Sequence, residues 1–335
     1  MKKKTSCPRV DIGGQAVMEG VMMRSPDRVA IAVRRPNGKI VLKVTPYVPY
    51  SQKHKWMGWP FIRGIISFVT MLSTGLGTLQ DSTDMLGTLE EEPTKFEKWL
   101  SAKLGKSIDK IVMATALVLA VVLSVGLFFV IPEIIASALR SVIESRIIVN
   151  LLSGLVRIAM LIGYILFCRR VPDVARTFRY HGAEHKTVYC NEAQLPLTPE
   201  NAKGFTTLHP RCGTSFLLIV FVLSILLFTI AGYNGTEYIW RLLSRLALLP
   251  FVAGISYEVL KGLAHSEAPI VKALRWPGLQ LQRLTTSEPD ESMLEIAICA
   301  MNCALYGMPE DAEMTSEGWG IVDTYHDTEK KEAQA

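Results

Sequence analysis

Residues 181–185 read HGAEH, a pattern whose side chains could share one metal site. Helix positions four apart lie on the same face, so His181 and His185 could both bind a metal ion through imidazole nitrogen. Glu184 could then take a proton from water at the metal, because H-x-x-E-H is the inverted zinc-peptidase arrangement. The alternative is a polar loop, since short patterns of this kind also arise by chance and Gly182 disfavours a helix.

A catalytic zinc site needs a third protein ligand and leaves a fourth position for water. Glu258 is the first candidate, because a glutamate at the end of an apolar segment is costly unless it is paired. His209 is the second. Cys212 could instead be a nucleophile activated by His209, although a core cysteine is the simpler interpretation. The ion would be divalent, with zinc favoured and manganese or iron compatible with imidazole and carboxylate ligands.

A second polar cluster lies in residues 12–24, IGGQAVMEGVMMR. Its glycine spacing matches neither a phosphate-binding loop nor a dinucleotide fingerprint. One interpretation is a buried turn that leads into a β-hairpin. In the other, Glu19 and Arg24 reach the same site as the HGAEH side chains.

The composition indicates a protein that is part membrane and part aqueous. Of its 335 residues, 49% are hydrophobic and 20% are charged, and the mean hydropathy is +0.26. These values are too apolar for an average soluble domain and too charged for a chain wholly in lipid. The net charge of +5 comes without a basic run interleaved with aromatics, so nucleic acid is not an expected partner. Six cysteines without a CxxC pair suggest neither a disulfide framework nor a thiolate zinc knuckle.

Apolar segments predict about four transmembrane helices, at residues 111–131, 147–168, 216–232 and 246–260. Arg157 interrupts the second and should face the protein interior or a partner, since a central arginine costs about 2.5–3.5 kcal/mol. Residues 64–79 are shorter than the ~20 residues that a span needs, which favours an interfacial, re-entrant or core helix.

Lysine and arginine set the expected orientation. They concentrate before the first span, between the second and third, and after the fourth. This predicts a multi-pass protein of the cell (cytoplasmic) membrane with both termini in the cytoplasm. HGAEH, His209 and Glu258 then lie at one cytoplasmic membrane mouth.

The expected fold is a polytopic α-helical membrane protein with a small cytoplasmic α+β part. Residues 28–45 predict a β-hairpin, because two alternating apolar runs flank Asn37-Gly38. Ser287 is predicted to cap a C-terminal helix. In chain order we expect a β-rich segment (1–57), an interfacial or re-entrant helix and linker (58–110), two spans (111–168), a cytoplasmic loop with HGAEH and HPRCGTS (169–215), two spans (216–260), cytoplasmic helices (261–310) and a disordered tail (311–335).

Four stretches, GGQAVMEGVMMR, FRYHGAEHKTVYC, LHPRCGTSF and GISYEVLK, resemble the YqhQ-like family of bacterial membrane proteins, whose members are described as metal-dependent enzymes. The resemblance extends over roughly residues 10–305. It implies no substrate. It implies that the family's hallmark stretches contain Glu19, His181, Glu184, His185, His209, Arg211, Cys212 and Glu258.

Two functions from different classes follow as expectations. The first is a metal-dependent hydrolase at the cytoplasmic face, with a membrane-proximal peptide or a lipid-linked group as substrate. The second is a non-catalytic transporter or assembly factor with a structural or regulatory metal, for which Arg157 and Glu258 would supply a solute or ion path. The lipid bilayer is the expected partner in both, and a homo-oligomer is compatible with either.

Overall fold

The computed structural model describes residues 12–49, 54–87, 108–231, 238–264 and 268–328. The chain divides into two compact units. Unit 1 consists of Met1–Gly87, Ile165–Ile219 and Ala253–Ala335. Unit 2 consists of Thr88–Tyr164 and Val220–Val252. The predicted linker at residues 90–110 falls mostly outside the described residues.

An antiparallel sheet forms the centre of unit 1. Its described strands are β1 (Gly13–Val17), β2 (Gly20–Arg24), β3 (Arg28–Arg34), β4 (Ile40–Pro46), β5 (Glu313–Met314) and β6 (Gly320–Val322), in the order β1-β2-β3-β4-β6-β5. The predicted hairpin is confirmed, because β3 pairs with β4 from Arg28↔Pro46 to Arg34↔Ile40. Gly38 adopts φ +87° at its turn, a conformation open to glycine without steric cost.

Two parts of this sheet differ from the sequence prediction. Residues 12–24 form a second hairpin, β1–β2, in which Glu19 takes φ +49° at the turn. The prediction of a disordered tail was wrong for residues 313–322, which add β5 and β6 to the sheet beside β4. Strands of two and three residues carry too little apolar alternation to be recognised in sequence.

Ten helices are present in the described part of the chain. They are α1 (Ile62–Leu86), α2 (Ile108–Val125), α3 (Ile131–Leu139), α4 (Arg146–Cys168), α5 (Pro172–Glu192), α6 (Pro199–Lys203), α7 (Gly213–Ala231), α8 (Tyr238–Ala264), α9 (Pro269–Thr285) and α10 (Glu291–Tyr306). A wider π-helical turn, Gly126–Val130, joins α2 to α3.

The two faces of the sheet carry different apolar clusters. In β3, Ala30 and Ala32 point into the cluster that includes α5 and α10, whereas Val29, Ile31 and Val33 point into the cluster that includes Met85 of α1. This alternation follows from the two-residue period of a strand. The sheet is therefore covered on both faces, and α5 is fixed against one of them.

The start of α10 corrects the predicted cap. Asp290 rather than Ser287 is the N-cap, and its Oδ1 accepts a hydrogen bond from the backbone N–H of Met293 at 3.0 Å. Ser287 instead donates its backbone N–H to the carbonyl of Phe178 in α5. The cap was misplaced because serine and aspartate both satisfy free N–H groups at helix starts.

Four helices among the described residues are long and apolar enough to cross a membrane: Ile62–Leu86, Ala114–Leu139, Ile147–Cys168 and Leu243–Gly262. The number agrees with the prediction, and three of these helices lie at predicted spans. The remaining predicted span, 216–232, lies in α7 (Gly213–Ala231), which contains the apolar stretch Phe216–Phe228, and α1 is longer than the sixteen residues expected. The second half of α1 packs on the sheet, where Ser82 Oγ accepts from Met18 N at 3.2 Å. Whether α1 enters a membrane stays a prediction.

Unit 2 contains a buried charged cluster. Glu133 of α3 is fully buried and forms ion pairs with Arg245 of α8 and with Arg140, the latter at 3.3 Å. Arg157 of α4 is also buried, and its guanidinium carbon lies 5.6 Å from the ring centroid of Phe228. Arg157 thus faces protein, as the sequence predicts.

Candidate metal centre

The HGAEH residues lie within α5, which begins with Pro172 in its first turn. Gly182 has a packing reason in this helix. A Cβ at this position would lie 2.1 Å from the carbonyl oxygen of Ser287. Glycine therefore lets the connection between α9 and α10 pass directly against the helix, next to Thr285, the last residue of α9, which contacts His181.

Both histidines are oriented by backbone carbonyls. His181 Nδ1 lies 2.9 Å from the carbonyl oxygen of Thr285. His185 Nδ1 lies 2.5 Å from the carbonyl oxygen of Thr207. A carbonyl oxygen only accepts, so each Nδ1 carries a proton, and in the neutral ring Nε2 then offers a lone pair. Metal-binding histidines are fixed in this way in known metal sites.

Cys212 joins the two histidines. One ligand atom from each of His181, His185 and Cys212 lies within 4.8 Å of the others. The shortest of these distances, from His181 Nε2 to Cys212 Sγ, is 3.2 Å. A tetrahedral zinc ion holds its nitrogen and sulfur ligands roughly 3.5 Å apart, so the group is close to the spacing of a metal site. It is the one such group among the described residues.

The surroundings of the His185 ring indicate whether a cation could bind there. Its Nε2 is buried and has no hydrogen-bond partner. The nearest carboxylate oxygen, Glu184 Oε2, lies 3.3 Å away. With the ring proton on Nδ1, a lone pair faces a carboxylate, and this arrangement needs a cation or a second proton between the two groups. The donor set therefore fits a divalent metal.

Glu184 is held in a space that a glycine leaves. A Cβ on Gly14 would lie 2.6 Å from Glu184 Cγ and 2.8 Å from Glu184 Oε1. Strand β1 thus packs against α5 at Glu184, the side chain that could act as a general base. Gly14 makes room for a carboxylate, a role that the sequence pattern alone did not reveal.

The structure does not bring Glu258 into the cluster. Its carboxylate accepts from Arg63 Nε at 2.7 Å and from the backbone N–H of Phe61 at 3.2 Å. Arg63 precedes Glu258 by 195 positions, so the sequence gave no sign that this charge is already compensated. Glu258 joins α8 to the start of α1 within unit 1.

His209 lies beside the cluster and does not complete it. Its ring centroid is 5.7 Å from that of His185. Its Nε2 lies 3.2 Å from Glu192 Oε1, and Glu192 also pairs with Arg211. Burial opposes ionisation of Glu192, but the hydrogen bond to His209 and the charge of Arg211 together lower its pKa. Glu192 is a neighbour of the site that sequence reasoning missed.

Glu19 anchors the β1–β2 turn to α5. Its two carboxylate oxygens accept from Arg176 Nε and Nη2, both at 2.5 Å. This hydrogen bond raises the pKa of Arg176. Burial, together with the charge of Glu19, raises the pKa of Tyr180. Glu19 therefore positions the hairpin that carries Gly14 and is not in the metal-ligand group.

A cleft of about 540 Å³ opens beside the cluster within unit 1. His181 and Cys212 line it together with Gly14 of β1 and Arg24 of β2. Arg211 lines it as well. Of the two residues expected to reach the site from the N-terminal hairpin, Arg24 reaches the cleft and Glu19 does not line it.

Comparison with known proteins gives a family. The model of the family described as "Protein of unknown function (DUF1385)" matches residues 59–306. The "Uncharacterized protein YqhQ" of Bacillus subtilis (strain 168) is 34% identical over 295 residues, which cover 87% of this chain and 91% of that protein. No solved structure matches. Neither printed description names a metal, a reaction or a membrane. The chain belongs to the DUF1385 family, and it is similar to the YqhQ protein of Bacillus subtilis.

Proposed function

We propose that this protein is a metal-dependent hydrolase whose divalent ion is held by His181, His185 and Cys212. One observation carries the proposal. Both imidazoles donate Nδ1–H to a backbone carbonyl, and the Nε2 of His185 is buried without a hydrogen-bond partner. Preorganised lone pairs in a buried site are what a metal-ligand set requires.

The donor types favour zinc. A thiolate with two imidazoles suits zinc better than manganese, which prefers oxygen ligands. A metal held by three protein ligands would supply a Lewis acid and would lower the pKa of water at its open position. With Cys212 in place of Glu258, the case for manganese is weaker than the sequence alone suggested.

Glu184 is the proposed general base. Its carboxylate lies between His185 and Gly14, and Gly14 lines the cleft. In hydrolysis the oxygen of water bonds to the electrophilic atom of the substrate. Glu184 accepts the proton that this water loses and returns it to the leaving group as the scissile bond breaks.

We place the site at the cytoplasmic face of the cell membrane. The apolar helices Ala114–Leu139, Ile147–Cys168 and Leu243–Gly262 and the apolar stretch Phe216–Phe228 lie at the four predicted spans, and they support membrane insertion. The lysine and arginine distribution supports cytoplasmic termini and puts HGAEH on the same side. The cleft would then lie where a membrane-proximal peptide or a lipid-linked group can reach it.

The test is a hydrolysis screen with peptide and lipid-linked substrates on protein in lipid nanodiscs. We expect turnover that a zinc chelator abolishes and added zinc restores. Glu184→Gln should keep the metal and lose turnover, while Glu313→Gln, which removes an exposed carboxylate of β5, should behave as wild type. Full activity of Glu184→Gln would reject water activation at this site.

A second candidate uses the same cluster without a metal. Cys212 precedes α7, its Sγ lies 3.2 Å from His181 Nε2, and the backbone N–H of Thr214 points to this sulfur at 3.5 Å. A thiolate beside an imidazole at a helix start is an activated nucleophile. A cysteine hydrolase would be insensitive to chelators and would lose all activity on alkylation of Cys212.

The non-catalytic alternative draws on unit 2. Arg157, buried near Arg245 and Glu133, is the kind of charge that a transport path uses. In that case Arg157→Gln should abolish function in a complementation assay, and Glu184→Gln should leave it intact. The hydrolase proposal expects the opposite ranking.

A further inference from the structure

We propose that the cleft beside the metal cluster binds a membrane amphiphile that carries an anionic group. Its apolar chain would lie against α1 and α7, and its acidic group would pair with Arg24. If the protein is the proposed hydrolase, this ligand is its class of substrate. Binding of the ligand does not itself require hydrolysis.

One wall of the cleft is apolar and lies on the hydrophobic helices. Phe68 and Met71 come from α1, Phe216 from α7 and Leu260 from α8. The rings of Phe68 and Phe216 lie 5.8 Å apart between centroids. Since α1 and α8 are among the helices apolar enough to cross a membrane, this wall lies on segments that lipid can reach.

The polar end of the cleft is basic. No acidic side chain is found among the described lining residues, whereas Arg24 and Arg211 both line the cleft. Arg24 also lines a neighbouring cavity of about 320 Å³ together with Arg63 and Lys261, again without a described acidic residue. Two adjoining cavities with the same sign of charge favour an anion.

Among the arginines that line the two cavities, Arg24 is the one that no described carboxylate pairs with. Its guanidinium carbon lies 5.3 Å from the centroid of the Tyr47 ring, and within the described ranges it forms no ion pair or side-chain hydrogen bond. By contrast, Arg63 is paired with Glu258 and Arg211 with Glu192. An arginine that stands at a cleft without a counter-ion can bind a phosphate or carboxylate bidentately.

The apolar wall and the charge of Arg24 together indicate which kind of ligand the cleft binds. A free inorganic anion would leave the apolar wall unused, and a neutral lipid would leave the Arg24 charge without a counter-ion. An amphiphile with an anionic group would fill the apolar wall and pair with Arg24. The bond that joins its anionic group to its chain would then lie near His181 and Cys212. Its chain can enter from the bilayer without crossing water.

The experiment measures binding to protein in phosphatidylcholine nanodiscs. The probe is dodecyl phosphate with a photoreactive diazirine near the chain end, and dodecyl alcohol with the same diazirine is the neutral counterpart. We expect labelling on peptides that contain Phe68 and Met71 or Phe216. Unlabelled dodecyl phosphate should compete, and inorganic phosphate should not.

Variants test which residues bind the anionic group of the ligand and which bind its apolar chain. Arg24→Gln should weaken dodecyl phosphate binding about tenfold, because a charge-assisted hydrogen bond is lost, and should leave the alcohol unaffected. Arg35→Gln is the matched control, since Arg35 bonds the carbonyl of Met85 and lies outside the cleft lining. Met71→Asp should weaken both probes.

The binding readout separates this inference from the metal proposal. His185→Ala protein and chelator-treated protein should still bind dodecyl phosphate, because neither Arg24 nor the apolar wall depends on a metal. Three results would each overturn the inference: labelling elsewhere in the chain, equal binding of the alcohol, or competition by inorganic phosphate as strong as by dodecyl phosphate. Failure of metal binding would leave it standing as a lipid site.

Discussion

The molecule contains two buried polar clusters, one in each unit, and they are built differently. In unit 2, Glu133 is buried between Arg245 and Arg140, so carboxylate and guanidinium compensate one another. In unit 1, His181 and His185 are each held at Nδ1 by a carbonyl, and Nε2 of His185 has no hydrogen-bond partner. Ion pairs between opposite charges hold the first cluster, whereas contacts of imidazole rings with backbone carbonyls hold the second.

This contrast separates a structural cluster from a site of chemistry. Buried ion pairs hold helices in place and leave little binding capacity. Imidazole rings whose orientation is fixed by backbone carbonyls are the arrangement that known metal sites use. Arg157 is intermediate, because its Nε and Nη2 lack hydrogen-bond partners while Phe129 and Phe228 face its charge.

The largest effect that we expect is on catalysis in unit 1. Glu184→Gln should reduce turnover by about 10²–10⁴-fold, because proton transfer in the transition state is lost. Metal content should not change. The measurement is the rate on a substrate from the hydrolysis screen, compared with Arg157→Gln, which should retain most of its turnover. The reverse ranking would move the functional site to unit 2.

A stability effect of similar size is expected in unit 2. Glu133→Gln should destabilise the protein by about 3–5 kcal/mol, because it removes the buried carboxylate that pairs with Arg245 and Arg140. A lower melting temperature in detergent, with an unchanged metal content, is the expected result. Glu144→Gln removes an exposed carboxylate nearby in sequence and is the control. If Glu133→Gln melts like wild type, the cluster is not a structural one.

A smaller effect on stability is expected from alanine substitutions at two helical glycines, one in a crowded position and one in an open position. Gly182→Ala should cost about 1–3 kcal/mol, because its Cβ would meet the Ser287 carbonyl at 2.1 Å. Gly163→Ala in α4 has nothing within 4 Å and should be stabilising by up to about 1 kcal/mol. Thermal unfolding of both variants checks this. Equal melting temperatures would show that the close approach at Gly182 is not rigid.

The smallest effect concerns pH. The pKa of Glu192 in the folded protein lies below the ordinary value of 4.5, so its contribution to stability is present above that pH and is lost as the pH falls through the folded pKa. Glu192→Gln should therefore lower the melting temperature at neutral pH and show a weaker further loss on acidification. Melting curves between neutral pH and about pH 3 measure this. Identical pH profiles would contradict the pairing with His209 and Arg211.

The sequence predicted the elements with strong local signals. The hairpin at Asn37-Gly38 follows from turn chemistry. For HGAEH the sequence left a helix and a polar loop open, and the segment assigned to a cytoplasmic loop contains the helix Pro172–Glu192. The resemblance in four stretches led to the family that the comparisons confirm. Glu184 and both histidines were selected from the motif, and the structure adds the carbonyls that orient the rings.

The rest depended on contacts far apart in the chain. The sequence favours Glu258 and then His209 as the third ligand, because the pairing of Glu258 with Arg63 cannot be read from the sequence. It does not indicate Cys212 as a ligand. Cys212 was paired with His209, three residues away, although its sulfur lies beside His181. The turn at Glu19 and the strands β5 and β6 were missed because a long-range partner fixes each of them. Side-chain pairing over long sequence separations is what single-sequence patterns do not contain.

The most direct test of the metal centre is the metal content of purified protein, measured by elemental analysis in wild type and in five variants. We predict about one divalent ion per chain in wild type, lost in His181→Ala and His185→Ala and strongly reduced in Cys212→Ala. Glu258→Gln and His209→Ala, which alter the two ligands expected from the sequence, should retain the ion. Folded wild-type protein that takes up no zinc, manganese or iron, or loss of the ion only in Glu258→Gln, would contradict the metal centre at His181, His185 and Cys212.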